Sequence, residues 1–545
     1  MAKQASASVV AQPAAPDFPF AELLRVAAYP HSVVTPKLKE TQISWVVLTG
    51  EFAYKIKKPV HFDFIDASTL DLRRGLCEAE VRLNRRFAAD LYLRVATITR
   101  DPVGLRIDGS GPVVEYAVCM RQFAADDELS ELLSRGATTV PELAAFGGRL
   151  ASLHQQADRA TSGSPYGDFE EIRNQVLGNL ATLLATLTGV EDLKLLSHLV
   201  DWTHTSLDAL EPLIRLRRIS GAVRECHGDL HARNIVRWQG ELVPFDCLEF
   251  DPGLRWIDVA SDVAFVFMDL MAYGRRDLAF AFLNGYLDPT GDFEGLQLLP
   301  FYAVYRALVR AKVDALSARH APASARQMSA RLASRLQVAA GFIQPAEPAL
   351  IIMNGVTASG KSRVSSELTT SLGAVRVRSD LERKRIHGVE PLSHRRFDLR
   401  AGAYDEASSN RTYARLMECA HGALSSGLHV IVDGAFLTRS RRESFHAFAV
   451  QHHLPFLIVT CDAPRAELFT RLTQRAAAAS DPSEATAAVL EDQLASRESL
   501  TAHETSHAIH IHTDRPEACN AGLAAVRAWI AEASPCGVAP PRPLN

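Results

Sequence analysis

The sequence predicts a multidomain chain, with an α+β bilobal part followed by an α/β part built on a doubly wound parallel sheet. Three observations lead there. A hairpin-and-strand region precedes a long, mostly helical stretch. Two closely spaced prolines then interrupt the helical pattern in Gln344-Pro-Ala-Glu-Pro348. From Ala349 onward, short apolar strand runs alternate with helical ones. At 545 residues the chain is too long for one core, and 47% hydrophobic with 22% charged residues is ordinary globular composition.

Residues 1–20 read as a disordered tail and 21–343 as the first domain, with a small lobe over about 21–120 and a helical lobe over about 121–343. Ser44-Trp-Val-Val-Leu and Phe52-Ala-Tyr-Lys-Ile-Lys flank Thr49-Gly50-Glu51, which is a hairpin pattern of β-branched and aromatic residues around a turn. Lys55 then lies on the second strand, and strand alternation puts Lys55 and Lys57 on one face. A helix follows over Leu70–Phe87, with further strands at 91–99 and 113–120. Helical periodicity marks 141–157, 169–187, 193–216, 259–287 and 298–340, broken from about Glu225 to Phe250 by short strands and loops. Residues 344–348 read as a linker, because prolines oppose both helix and central strand. The second domain spans 349–533, with strands at 349–353, 429–432, 457–461 and 509–513 and a helix from about Lys361. His510 and His512 read as exposed residues of the last strand. Residues 534–545 are proline-rich and read as a second disordered tail.

Charge narrows the partners. With 59 Lys and Arg against 63 Asp and Glu, the net charge of −4 offers no general attraction to nucleic acid or anionic membranes. No apolar run is long enough to span a bilayer, and the first residues lack a signal-peptide core. The eight cysteines are scattered without a Cys-x-x-Cys pair, which points to a reducing, cytoplasmic setting.

Two motifs carry chemistry. Phosphoryl transfer needs a carboxylate for the acceptor hydroxyl, oxygen ligands for magnesium and a lysine on the phosphates. In His227-Gly-Asp-Leu-His-Ala-Arg-Asn234, Asp229 and Asn234 have the five-residue spacing of a catalytic carboxylate and a metal-binding Asn. Asp246, at a strand end in Val-Pro-Phe-Asp, suits a second metal carboxylate. Lys55 and Glu80 suit the phosphate lysine and its ion-pair partner, with Glu78 as a competitor for Glu80. Asp258 and Asp262 read as structural carboxylates.

These residues resemble the aminoglycoside phosphotransferase family, a branch of the protein-kinase-like fold. The likeness covers about residues 21–340 and rests on His227–Asn234, Phe245-Asp246 and Ile257-Asp258-Val-Ala-Ser-Asp262. It implies Asp229 as general base, Asn234 and Asp246 as magnesium ligands, Lys55 on the phosphates, and adenine bound near Met120–Phe123. Two features depart from the kinase pattern. Only Gly50 precedes Lys55 where a Gly-x-Gly-x-x-Gly loop is usual, and Cys247-Leu248-Glu249 replaces a Phe-Gly pair.

The second motif is Gly355-Val-Thr-Ala-Ser359-Gly360-Lys361-Ser362, a Walker A loop. Its glycines let backbone N–H groups approach phosphates, Lys361 reaches the β- and γ-phosphates, and Ser362 offers a hydroxyl to magnesium. His429-Val-Ile-Val-Asp433 supplies a Walker B carboxylate. Asp380, with Arg383 one turn later, suits proton acceptance beside a guanidinium that holds phosphate. This half resembles the small P-loop kinases: the polynucleotide kinase, chloramphenicol phosphotransferase, gluconate kinase and zeta-toxin group. That likeness covers about 349–533 and implies Asp380 as base and Arg471 or Arg475 in a lid. Arg376, Arg378, Arg383, Lys384 and Arg385 leave a nucleic-acid end open as a ligand, though without interleaved aromatics a small anionic acceptor is favoured.

The expected function is an ATP-dependent phosphotransferase with two nucleotide-binding modules. Each would transfer the γ-phosphoryl group of MgATP to a hydroxyl of a small-molecule acceptor. The alternative makes one module a regulatory nucleotide sensor or pseudokinase, or a toxin-like kinase held inactive by the other.

Overall fold

A computed structural model describes residues 18–62, 65–161, 163–187, 189–320, 325–344, 347–393, 406–478 and 487–533. The expected tails lie mostly outside these residues, as do Pro345 and Ala346 of the expected linker. The chain packs as two compact units. One comprises residues up to Gly136 with Arg159–Tyr166 and Val223–Ile257; the other comprises Ala137–Asp158, Gly167–Ala222 and the chain from Asp258 on.

The first unit is built on a six-stranded antiparallel sheet. Its strands are β1 (Lys37–Glu40), β2 (Ser44–Leu48), β3 (Phe52–Lys57), β4 (Tyr92–Asp101), β5 (Gly104–Ile107) and β6 (Val113–Arg121), in the order β1-β2-β3-β6-β4-β5. Strand alternation gives the sheet two apolar faces. Trp45, Tyr54, Ile56, Ile98 and Ala117 cluster on one. Ala53, Val118 and Met120 pack on the other with Cys77 and Val81 of α1 (Leu70–Asn84) and with Val236 and Val243. The last two belong to a hairpin of β7 (Ile235–Trp238) and β8 (Glu241–Pro244). Thr69 caps α1 by accepting from the Leu72 N–H at 3.3 Å. Phe20 packs edge-on against Trp45 with ring centroids 4.6 Å apart, so ordered packing begins ahead of the expected boundary at Ala21.

The second unit opens with helices α2 (Val140–Gln156), α3 (Phe169–Thr186), α4 (Val190–Ile219), α5 (Val259–Ala272), α6 (Arg276–Thr290), α7 (Leu299–His320) and α8 (Ala325–Phe342). The single helix expected over 259–287 is two, because the chain turns at Tyr273–Arg275 with Gly274 at φ +71°. The stretch expected as one helix over 298–340 is also two, and residues 321–324 between them lie outside the described residues. Arg217, buried near the end of α4, joins this bundle by donating to Asp258 at 2.7 and 2.9 Å and to Asp292 at 2.7 and 2.8 Å.

The same unit continues into an α/β layer: β9 (Leu350–Asn354), α9 (Lys361–Leu372), β10 (Ala374–Arg378), α10 (Ser379–Ile386), α11 (Glu406–Leu424), β11 (His429–Asp433), α12 (Arg439–Gln451), β12 (Phe456–Asp462), α13 (Arg465–Ala478), α14 (Ala487–Ser496), β13 (Ala508–His512) and α15 (Pro516–Ala533). The five strands are parallel in the order β10-β11-β9-β12-β13. Every residue of the central β9 is buried, which is why Leu-Ile-Ile-Met reads as a continuous apolar run. Helix α6 lies along the edge strand β10. Asn284 Nδ2 donates to the Ala374 carbonyl at 3.0 Å, and the Arg376 N–H donates to Asn284 Oδ1 at 2.7 Å. Among the described residues, no helix is long and apolar enough to cross a membrane.

Candidate functional site

The first unit gathers one constellation of ionisable groups. Lys55 on β3 donates to Glu80 of α1 at 2.9 Å and to Asp246, just past β8, at 2.5 Å. Two residues further along the same face of β3, the fully buried Lys57 pairs with the other Glu80 oxygen at 2.5 Å and with Glu249. Burial opposes the charge on both ammonium groups, but the surrounding carboxylates raise their pKa above the usual lysine value: Asp246 then Glu80 for Lys55, and Glu249 then Glu80 for Lys57. Burial likewise works to raise the Asp246 carboxyl, yet Lys55 holds it below the ordinary aspartate value. Glu249 goes the other way, raised chiefly by burial and further by Glu80, against the pull of Lys57.

Neighbouring backbone aims these groups. Asp246 adopts φ +61°, a left-handed conformation rare outside glycine, and its N–H donates to the Tyr92 hydroxyl at 3.0 Å. The next N–H, of Cys247, donates to Asn84 Oδ1 at 2.9 Å. His227 is buried and joins two segments: Nε2 lies 2.8 Å from the Phe245 carbonyl while Nδ1 accepts from the Asp229 N–H at 3.3 Å, contacts that require the Nε2–H tautomer. Gly228 sits at φ +85°, and a Cβ there would come within 2.6 Å of the Leu254 carbonyl oxygen. Asn234 Nδ2 donates to the Asp229 carbonyl at 2.9 Å and to its Oδ2 at 3.1 Å. Beneath the loop, Glu225 accepts from Arg255 at 3.1 Å and from Arg86 at 2.8 Å.

The second constellation surrounds the loop between β9 and α9. Gly355 at φ +145° brings its backbone so near β12 that a Cβ would lie 2.5 Å from the Cys461 carbonyl oxygen. Lys361 curls over the loop, donating to the Val356 carbonyl at 2.7 Å with Ser359 Oγ at 3.5 Å. Thr513, just beyond β13, donates to the Ser359 carbonyl at 2.8 Å, and Arg471 of α13 donates to Thr513 Oγ1 at 2.9 Å and to the Ala358 carbonyl at 3.4 Å. Asp433 ends β11, beside β9 in the sheet, and accepts from Ser365 at 2.8 Å, one turn along α9 from Ser362. Asp380 opens α10 and accepts from Arg378 at 2.9 Å; Arg378 also donates to Asp288 of α6 at 3.2 Å. Burial disfavours the Arg378 charge, but Asp380 and Asp288 outweigh it and raise its pKa.

Over residues 350–500 the chain matches the AAA domain family. An uncharacterized protein of Mycobacterium tuberculosis is 31% identical over 456 residues, covering 83% of this chain and 89% of that protein. A Mycobacterium bovis protein, also uncharacterized, matches to the same extent. The chain belongs to this family of mycobacterial relatives. Among solved structures, a gluconokinase from Sinorhizobium meliloti is similar at 21% identity over 33% of this chain and 95% of its own, with a TM-score of 0.24. A choline/ethanolamine kinase family protein from Mesorhizobium loti is similar at 12% identity over 57% of this chain and 88% of its own, with a TM-score of 0.36.

For this family member, the structure brings Lys55, Glu80 and Asp246 into direct contact, and Asp229 into contact with Asn234. Of the candidate helix carboxylates, Glu80 faces Lys55, whereas Glu78 pairs with Arg74 on the exposed side of α1. Of the two lid candidates, Arg471 lies on the loop; the side chain of Arg475 lies outside the described residues. Arg383 is half-buried on α10. Sequence reasoning missed Lys57 with Glu249, and Arg378 with Asp288. The shared face of Lys55 and Lys57 was the available signal for the first pair. The second joins positions 90 residues apart and left no local mark.

Proposed function

We propose that the chain is an ATP-dependent phosphotransferase with two nucleotide-binding modules, each acting on hydroxyl groups of small-molecule acceptors. The observation that carries the reading is the Glu80–Lys55–Asp246 chain of contacts in the same unit as the Asp229–Asn234 pair. These are the parts phosphoryl transfer needs: a fixed cation for the triphosphate, a carboxylate for the acceptor proton, and hard oxygen donors for a metal. In the first module Lys55, held by two carboxylates, would grip the phosphates of the nucleotide. Asp229 would orient the acceptor hydroxyl and take its proton as the acceptor oxygen bonds to the γ-phosphorus and the β–γ bridging bond breaks, leaving ADP. The Asn234 Oδ1 and the Asp246 carboxylate fit magnesium, which when bound would neutralise charge on the phosphate oxygens.

In the second module the N–H groups of Gly355–Ser362 would cradle the phosphates, with Lys361 swinging from the Val356 carbonyl onto them. Asp380 would accept the hydroxyl proton there, and Arg471 would add positive charge beside the loop. Ser362 and Asp433 are the oxygen donors that fit magnesium in this module. The test is a metabolite screen scored by mass gain of one phosphoryl group, run on wild type, Asp229→Ala and Lys361→Ala. The reading expects each variant to lose a different product by about 10²–10⁴-fold; no phosphorylated product from wild type overturns it.

One contact favours a second reading, in which one module regulates the other. Asp288, on α6 ahead of the proline-marked stretch and in the same unit as the α/β layer, shares Arg378 with Asp380, the candidate base of the second module. Under that reading, one of the two variants changes only the rate or affinity with which the remaining product is made.

A further inference from the structure

Among residues that belong to neither candidate site, three histidines meet around a cavity of about 230 Å³. His446 belongs to α12. His503 and His507 stand four residues apart in the short segment that leads into β13. The ring centroids are 5.4 Å apart for His446 and His503, 5.6 Å for His446 and His507, and 5.3 Å for His503 and His507. Three imidazoles on one tetrahedral ion, with metal–nitrogen bonds of about 2.1 Å, hold their centroids about 5 Å apart. The triangle therefore has the size that a single ion sets. As the rings stand, their nitrogens do not all converge. His503 and His507 are exposed, and rotation about χ2, which leaves each ring centroid nearly in place, can turn their nitrogens toward the centre.

The charged neighbours narrow the class of ligand. Arg442 donates to Glu504 at 2.6 and 3.2 Å, and Arg439 donates to Glu443 at 2.6 Å. With both guanidinium groups matched, the cavity holds no surplus positive charge for an anion, and imidazole nitrogen is the donor that borderline transition ions take. The run His503-Glu504-Thr-Ser-His507 has the His-Glu-x-x-His spacing in which the carboxylate usually activates a metal-bound water. Here Glu504 is committed elsewhere, since it also accepts from the Thr501 N–H at 2.8 Å. The arrangement suits holding an ion rather than hydrolysis.

We propose that His446, His503 and His507 form a site for one divalent transition ion of the zinc class, which would clamp α12 to the segment entering β13. The test uses the full chain, stripped with a chelator and titrated with Zn²⁺ alone by calorimetry, then with Co²⁺ by visible absorption. The proposal expects one ion per chain and the intense bands of four-coordinate Co²⁺. His503→Ala and His507→Ala should each weaken uptake at least as much as the about 10–100-fold that loss of an outer-shell partner costs. Both positions are exposed, so metal-free melting temperatures matching wild type would show that folding is intact. The double variant His510→Ala/His512→Ala on β13 should bind like wild type. The proposal is overturned by an absence of stoichiometric uptake, by uptake that survives both single variants, by equal loss in the β13 control, or by inorganic phosphate raising the melting temperature where Zn²⁺ does not.

Discussion

Glu80 holds two cations at once, because both of its oxygens are engaged by ammonium groups, Lys55 on one and the fully buried Lys57 on the other. Removing it leaves two cations short of a counter-charge in a site with little water. Glu80→Ala should therefore destabilise the first unit by about 3–5 kcal/mol, read as a lowered denaturation midpoint. Lys55→Met should abolish the first product yet leave the fold largely intact, since Glu80 keeps Lys57; a collapse in melting temperature would contradict that division of labour. A second residue makes a pH prediction. Burial first, and the nearby Arg276 second, depress His429 from 6.5 to about 4, and its Nδ1 accepts the Ala349 N–H at 3.1 Å. Both folded and unfolded states hold a neutral imidazole above pH 6.5, so nothing is lost there. Between pH 6.5 and about 4 the unfolded state binds a proton that the folded state refuses, so stability falls as pH falls, by about 3 kcal/mol across the window. Urea titrations of wild type and His429→Gln at pH 7 and pH 4.5 should differ, with a flatter pH dependence in the variant.

At the scale of elements, the edge strand β10 owes its pairing to a helix. Asn284 on α6 supplies one donor and one acceptor to the strand, filling the place of a sixth strand over one residue pair. Asn284→Ala orphans the Ala374 carbonyl and the Arg376 N–H, at about 1–3 kcal/mol each. Hydrogen exchange should show the Arg376 amide losing protection ahead of those in β9. How legible these elements were follows from where their determinants sit. The β9 strand, its loop and α9 were readable because an apolar run, glycines at φ above zero and a helix start lie within a dozen consecutive residues. The turn at Gly274 was not, because apolar residues continue through it on both sides and periodicity alone ran the two helices together. Asn284 was invisible for a related reason: a mid-helix Asn reads as a poor helix former until the strand it serves is in view. The Asp229–Asn234 contact could be expected from spacing, whereas the Lys57–Glu249 pair could not, since its partners lie 192 residues apart.

At the scale of the molecule, the proline-marked stretch at 344–348 suggested a seam between the two halves. The packing puts the helices from Ala137 onward and the whole α/β layer in one unit. Beyond Asn284, Arg276 donates to the carbonyls of Leu372 and Gly373 at 3.4 Å, and Arg385 reaches the carbonyl of Asp288. A fragment of residues 349–533 should therefore melt well below the α/β layer of the full chain and self-associate through the bared β10 edge. Light scattering beside calorimetry would check this, and a monomeric fragment with an unchanged melting temperature would show that α6 adds nothing. For anyone building chimaeras, the sensible crossover lies upstream of Arg276, so that a grafted α/β cassette travels with the helix that hems its open selvage.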